Sequence, residues 1–110
     1  MNTDELKKIE KIFIDEIKDK LKDKEFIFNG KFPLEIPCIV GNCFALKIFQ
    51  FYENLTEYDV KPLVRQNILY IKISTNNDTK ILADILITTN IENDLITIKE
   101  VLVSLKNFKI

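Results

Sequence analysis

ILYIKISTNNDTKILADILITTNIENDLITIKEVLVSL, residues 68–105, carries the architecture of the chain. Apolar residues recur at every second position in its first two thirds. Leu69, Ile71 and Ile73 alternate with Ile68, Tyr70 and Lys72. Successive side chains of a strand point to opposite faces, so this period predicts a strand with one face in a core. Asn76-Asn77-Asp78 then supplies turn chemistry. From Ile81 to Thr89, Ile81, Ala83, Ile85 and Ile87 fall on one side and Leu82, Asp84 and Leu86 on the other. Asn90 to Asp94 predicts a second turn. Leu95 to Leu105 is rich in β-branched residues (Ile96, Thr97, Ile98, Val101, Val103) and its helical pattern is poor. It reads as a third strand, with a helical end as the alternative. Three such strands joined by short polar turns make an antiparallel meander.

A meander with one apolar face needs a cover. Upstream, Leu6, Ile9, Phe13, Ile17 and Leu21 are spaced three or four apart, with Ile14 beside them. That spacing predicts an amphipathic helix. Asn2 or Thr3 suits its start, and Asp4 and Glu5 suit the positive end of its dipole. Asp4–Lys8 and Glu16–Lys20 are i,i+4 pairs in the favourable order. Asp15, Asp19 and Asp23 line one side, but Lys8, Lys11, Lys18 and Lys22 interleave with them. The pattern is a solvated helix face rather than a metal-ligand set.

The middle of the chain is harder to read. Phe26-Ile27-Phe28 runs into Asn29-Gly30, a strong hairpin dipeptide. Pro33 and Pro37 confine the chain around them to an edge strand or an extended loop. From Cys43 to Tyr52, a helix would align Phe44, Ile48, Phe51 and Leu55 with Asn42 as its cap. A strand would alternate Phe44, Leu46 and Ile48 with Ala45, Lys47, Phe49 and Phe51. Aromatic enrichment and the scarcity of good helix formers favour the strand. The expected architecture is α+β: an N-terminal amphipathic helix packed on an antiparallel β-meander of about four strands. Its 110 residues suit a single domain, 1–110, able to bury roughly two-thirds of its unfolded surface.

Composition removes several classes of chemistry. The chain has no histidine, the commonest general acid/base and a common metal ligand. Cys38 and Cys43 have four residues between them, too few ligands for zinc and the wrong spacing for a redox pair. They read as two small buried apolar side chains. Ser74 and Ser104, the only serines, fall in expected strands without a base, and Gly30 and Gly41 stand apart from any phosphate-cradling pattern. No cofactor, metal or catalytic set is therefore expected, and a compact enzyme using carboxylates or lysine is the third-ranked reading. Lys+Arg number 16 against 17 Asp+Glu, which gives no electrostatic footprint for nucleic acid or an anionic membrane. No apolar run reaches the length of a signal peptide core or a membrane span, so the expected compartment is the cytoplasm. The 18 Ile, 15 Lys and 10 Asn against one Arg and two Ala suggest a low-GC bacterium or its phage.

What remains is recognition. Phe49 and Phe51 beside Lys47 would share one strand face, as in an RNA-stacking platform, but the net charge of −1 argues for burial instead. The segment Tyr52 to Asp59 is the more suggestive one. It is a polar connection with two tyrosines and three acids. Tyr52 and Tyr58 offer rigid amphipathic area, and Glu53, Glu57 and Asp59 can steer a basic partner. Arg65, the sole arginine, is placed to pair with Glu57 or Asp59. The expected function is a small non-enzymatic protein-binding module, in the manner of an inhibitor, immunity protein, phage-encoded antagonist of host defence or chaperone. Its partner would be another protein, one with a basic surface being favoured. The alternative is a self-assembling structural subunit such as a phage assembly component. A homodimer is compatible with either.

Overall fold

The structure is a computed structural model that describes residues 3–45, 47, 57–76 and 80–106. Helix α1 (Thr3–Leu21) is followed by a short strand β1 (Phe26–Ile27) and helix α2 (Glu35–Ala45). Four strands complete the chain: β2 (Tyr58–Arg65), β3 (Ile68–Thr75), β4 (Ile81–Glu92) and β5 (Leu95–Leu105). They form one antiparallel five-stranded sheet in the order β1-β5-β4-β3-β2, curled into a half-barrel. Both helices lie in its concave side. The expected α+β architecture, with an N-terminal helix on a meander, is what the chain adopts.

α1 buries the stripe that its spacing predicts. Phe13, Ile17 and Leu21 are buried, and Leu6, Ile9 and Ile14 pack partly against the same core. It ends where Asp23 takes a left-handed backbone and the Lys24 N–H bonds the Leu21 carbonyl at 3.3 Å. Of its surface pairs, Lys11–Asp15 closes at 3.2 Å, whereas Glu16 reaches Lys47 beyond the helix rather than Lys20.

The alternation in 68–105 sets the sheet's two faces. Leu69, Ile71 and Ile73 of β3 point into the core, as do Ala83, Ile85, Ile87 and Thr89 of β4. Two bulges explain where the sequence loses its period. Leu82 has no partner between the Ile73↔Ala83 and Ser74↔Ile81 pairs, so it and Ala83 are both buried. Ile81, expected in the core, is left more exposed at the strand's start. Lys99 is skipped between Thr88↔Glu100 and Thr89↔Ile98. The inward set of β5 therefore changes from Ile96 and Ile98 to Val101, Val103 and Leu105. That change made β5 look irregular, yet it is strand throughout.

Several expectations for the middle and the turns are corrected. The residues around Pro33 and Pro37 are neither edge strand nor extended loop, because residues 35–45 are α2. Pro37 sits in the first turn, where a missing N–H breaks no helical bond. Asn42 and Cys43 lie inside α2, so neither a cap nor a strand starts there. Residues 46 and 48–56 are outside the described set. Asn29-Gly30 turns the chain, with Gly30 at φ 79°, but leads into a helix rather than a hairpin partner. The second turn is tighter than expected: Asn90, Ile91 and Glu92 stay in β4, paired with Thr97, Ile96 and Leu95. Only Asn93 and Asp94 make the loop, at φ 52° and 64°, the signature of a type I′ hairpin. Residues from Tyr58 onward form β2, an edge strand that carries Pro62, so the polar connection ends earlier than expected.

α2 closes the core. Its Phe44 ring stacks on Phe13 of α1, with centroids 4.2 Å apart and planes 8° from parallel. Ile36, Val40 and Cys43 bury beside it. Gly41 of α2 faces β2, where an added Cβ would sit 3.4 Å from Val60 Cγ2, an ordinary contact.

Candidate protein-docking surface

The residues of β2 to β5 that do not face the core define the outer, convex face. Strand register gathers them into rows. Leu63 of β2 pairs with Tyr70 of β3, Tyr70 with Leu86 of β4, and Leu86 with Leu102 of β5. Four apolar or aromatic side chains thus stand in one line straight across four strands. Cross-strand neighbours on one face have Cβ atoms about 5 Å apart, so the line is a continuous ridge. Leu63 is 59% exposed, Leu86 40% and Leu102 50%. Beside it, Leu63, Arg65, Ile68, Tyr70 and Leu86 line a shallow depression of about 360 Å³ whose one charge is Arg65.

Two rows, polar except at Ile68, flank the apolar one. On one side Lys61, Lys72, Asp84 and Ser104 follow in register, and on the other Arg65, Ile68, Thr88 and Glu100. Tyr70 ties the two zones together. Its ring belongs to the apolar row and its hydroxyl donates to Asp84 Oδ1. Burial first, and then the Asp84 hydrogen bond and charge, push the phenol up to about 12. Tyr70 therefore stays a neutral donor at any physiological pH. The turn at one end of the face is clamped. Asn67 Nδ2 donates to the Thr89 carbonyl at 3.0 Å, and the Thr89 N–H and hydroxyl both donate to the Asn67 carbonyl.

The concave side carries a second apolar feature. Phe28, Phe32 and Leu34 on one wall and Pro62, Val64 and Leu69 on the other enclose a cleft of about 370 Å³. Phe28 and Phe32 pack edge to face, with centroids 5.7 Å apart, which fixes the first wall.

The residues expected to bind a partner divide. Tyr52 and Glu53 lie outside the described residues. Tyr58 opens β2 opposite Thr75 and packs partly against the core. Asp59 is half-buried opposite Ser74, and Glu57 is exposed, accepting a hydrogen bond from Asn76. Arg65 stands at the far end of β2 from Asp59, so the pairing expected between them does not form. Lys47 is held by Glu16 and lies 5.8 Å over the Phe13 ring, while Phe49 and Phe51 are outside the described residues.

A search of protein-family models, curated proteins and solved structures finds no match to this chain. Chemistry must therefore be read from the residues alone. Among the described residues no group of three His, Cys, Asp or Glu side chains is placed to hold a metal. Both cysteines are free. Cys43 is buried, and that burial raises its thiol pKa against the opposing pull of Lys20. Cys38, expected to be buried, is exposed because it falls on the solvent side of α2. No helix among the described residues is long and apolar enough to cross a membrane.

The apolar row escaped the sequence reading for a physical reason. Tyr70, Leu86 and Leu102 each look like a lone apolar residue on a solvent face. Only register places them beside one another, and the bulge at Lys99 shifts the parity that would have aligned Leu102.

Proposed function

We propose that this chain is a non-enzymatic protein-binding module that works through the outer face of its sheet. The observation that carries the reading is the exposed row Leu63–Tyr70–Leu86–Leu102, framed on both sides by polar rows. Protein interfaces are built this way, with an apolar and aromatic centre inside a polar rim. Scattered exposed leucines are ordinary; here four apolar or aromatic side chains are contiguous across four strands. Tyr70 suits a central anchor, being a rigid ring with a polar tip held by Asp84. The charges of the rim are mixed, so the face gives no preference for a basic partner over a neutral one.

The test is a photo-reactive residue at the position of Leu86. In cells of the natural host it should yield a discrete adduct with a protein. The same probe at Lys11, on the exposed side of α1, should not. Equal labelling from both positions, or none from Leu86, would remove the outer face as the docking surface.

A further inference from the structure

The same register that builds the apolar row also assigns its partner. We propose that the outer face docks on a second copy of this chain, about a two-fold axis parallel to the strands and between β3 and β4. The inference rests on the reading of that face as a docking surface and names what fills it. Such an axis reverses the order of the strands and keeps each row in place. β2 of one copy then faces β5 of the other, and β3 faces β4. In the central row, Leu63 meets Leu102 of the second copy and Tyr70 meets Leu86 of the second copy. Every position of the row thus finds an apolar counterpart.

The flanking rows decide for a second copy over an unrelated protein. The outer face is basic toward β2 and β3, where Lys61, Arg65 and Lys72 stand. Within these three rows it is acidic toward β4 and β5, where Asp84 and Glu100 stand; outside them Asp59 lies on β2 and Lys99 at the bulge of β5. A face whose charge changes sign about its own midline is complementary to itself under the two-fold operation. Arg65 meets Glu100 of the second copy, Lys72 meets Asp84, Lys61 meets Ser104, and Ile68 meets Thr88. No row brings like charges together. Each opposite-charge contact also occurs twice, because the interface is isologous.

Geometry permits the arrangement. Sheets packed face to face lie about 10 Å apart with strands within about 30° of each other. The curl of the sheet brings β3 and β4 closest, so Tyr70 and Leu86 make the direct apolar contact, while Leu63 and Leu102 face each other across the wider gap that Arg65 and Glu100 have the length to span. The rows span about 19 Å across four strands and about 17 Å along them, a flat footprint of roughly 300 Å². Standard interfaces bury about 800 Å² of accessible surface on each side. The dimer is therefore a weak, transient one.

The test is sedimentation equilibrium of the full chain from about 1 µM to about 1 mM, a range that brackets such an association. The wild type should pass from monomer to dimer. Arg65→Glu alone and Glu100→Arg alone each place like charges together twice and should weaken the dimer at least about tenfold. An equimolar mixture of the two variants makes both contacts opposite in charge again and should restore a heterodimer to near wild-type affinity. Recovery in the mixture also shows that both variants are folded. A wild type that is monomeric throughout, single variants that dimerise normally, or a mixture that stays monomeric overturns the second-copy assignment. If a different protein is then captured from the position of Leu86, the docking reading stands without it. If nothing is captured from the position of Leu86, both fall.

Discussion

Phe13→Ala tests how the two helices are joined to the sheet. Phe13 is 1% exposed and lies between the α1 stripe and the α2 ring of Phe44, stacked on it at 4.2 Å. Lys47 Nζ lies 5.8 Å from the centroid of the same ring. Truncation removes the ring's transfer free energy and leaves a cavity between two helices that cannot close freely. Buried Phe→Ala changes cost about 3–5 kcal/mol, and loss of a stacked partner adds about 0.5–1.5 kcal/mol. A domain of this length holds about 5–16 kcal/mol in all. The variant should therefore lose between a quarter and most of its stability. With a urea slope of about 2 kcal/mol per molar, the unfolding midpoint should fall by about 1.5–3 M. Equilibrium urea unfolding followed by circular dichroism reads this directly. A midpoint lowered by less than about 0.5 M would mean that α1 and α2 do not share one core, and the packing argument would fail.

Two further predictions concern the approach of α2 to the sheet and the phenol of the outer face. Gly41→Ala should stabilise the protein by about 0.5–1 kcal/mol, raising Tm by a few degrees, because the added Cβ meets Val60 at ordinary contact distance and the helix interior loses a flexible residue. A lower Tm in calorimetry would show that Val60 cannot accommodate it. Tyr70 holds its proton more tightly when folded, to about 12 against an ordinary 10. Its contribution is complete below pH 10 and is lost as pH rises through about 12. The stability difference between wild type and Tyr70→Phe should therefore be constant below that window and shrink across it. A difference independent of pH would mean that neither burial nor Asp84 raises the phenol's pKa.

The parts of the fold visible in the sequence were those governed by period. Five positions of α1, from Leu6 to Leu21, and three of β3, Leu69, Ile71 and Ile73, fell where their spacing put them. What the sequence concealed was set by tertiary context. Pro33 and Pro37 are strand-edge or loop signals on their own, yet the missing N–H of Pro37 falls in the first turn of a helix, where it costs nothing. The packing of Ile36, Val40 and Phe44 then outweighs weak helix propensity. β2 has little alternation because an edge strand at the rim of a curled sheet buries little on either side. The candidate surface was hidden for a third reason. Register is a relation between strands, and each of the four strands carries a single member of the apolar row.

The treatment of the sheet's edges gives the exposed row its meaning. An open sheet is prone to edge-to-edge aggregation, and this chain guards both sides. β2 carries Pro62 with Lys61 and Arg65 along its free edge. On the other side, β1 pairs with Ile96 and Leu95, and Glu10 of α1 accepts the Leu105 N–H at 2.8 Å. Edge protection of this kind suppresses indiscriminate pairing of strands. The outer face has no such guard at its centre: Leu63, Leu86 and Leu102 stay in contact with water between two charged rows. Polar residues at these three positions would leave every core contact intact, since none of them faces the core. Under the docking proposed above, blunted edges and a contiguous apolar row leave face-to-face contact as its geometry, with the flanking charges selecting the register.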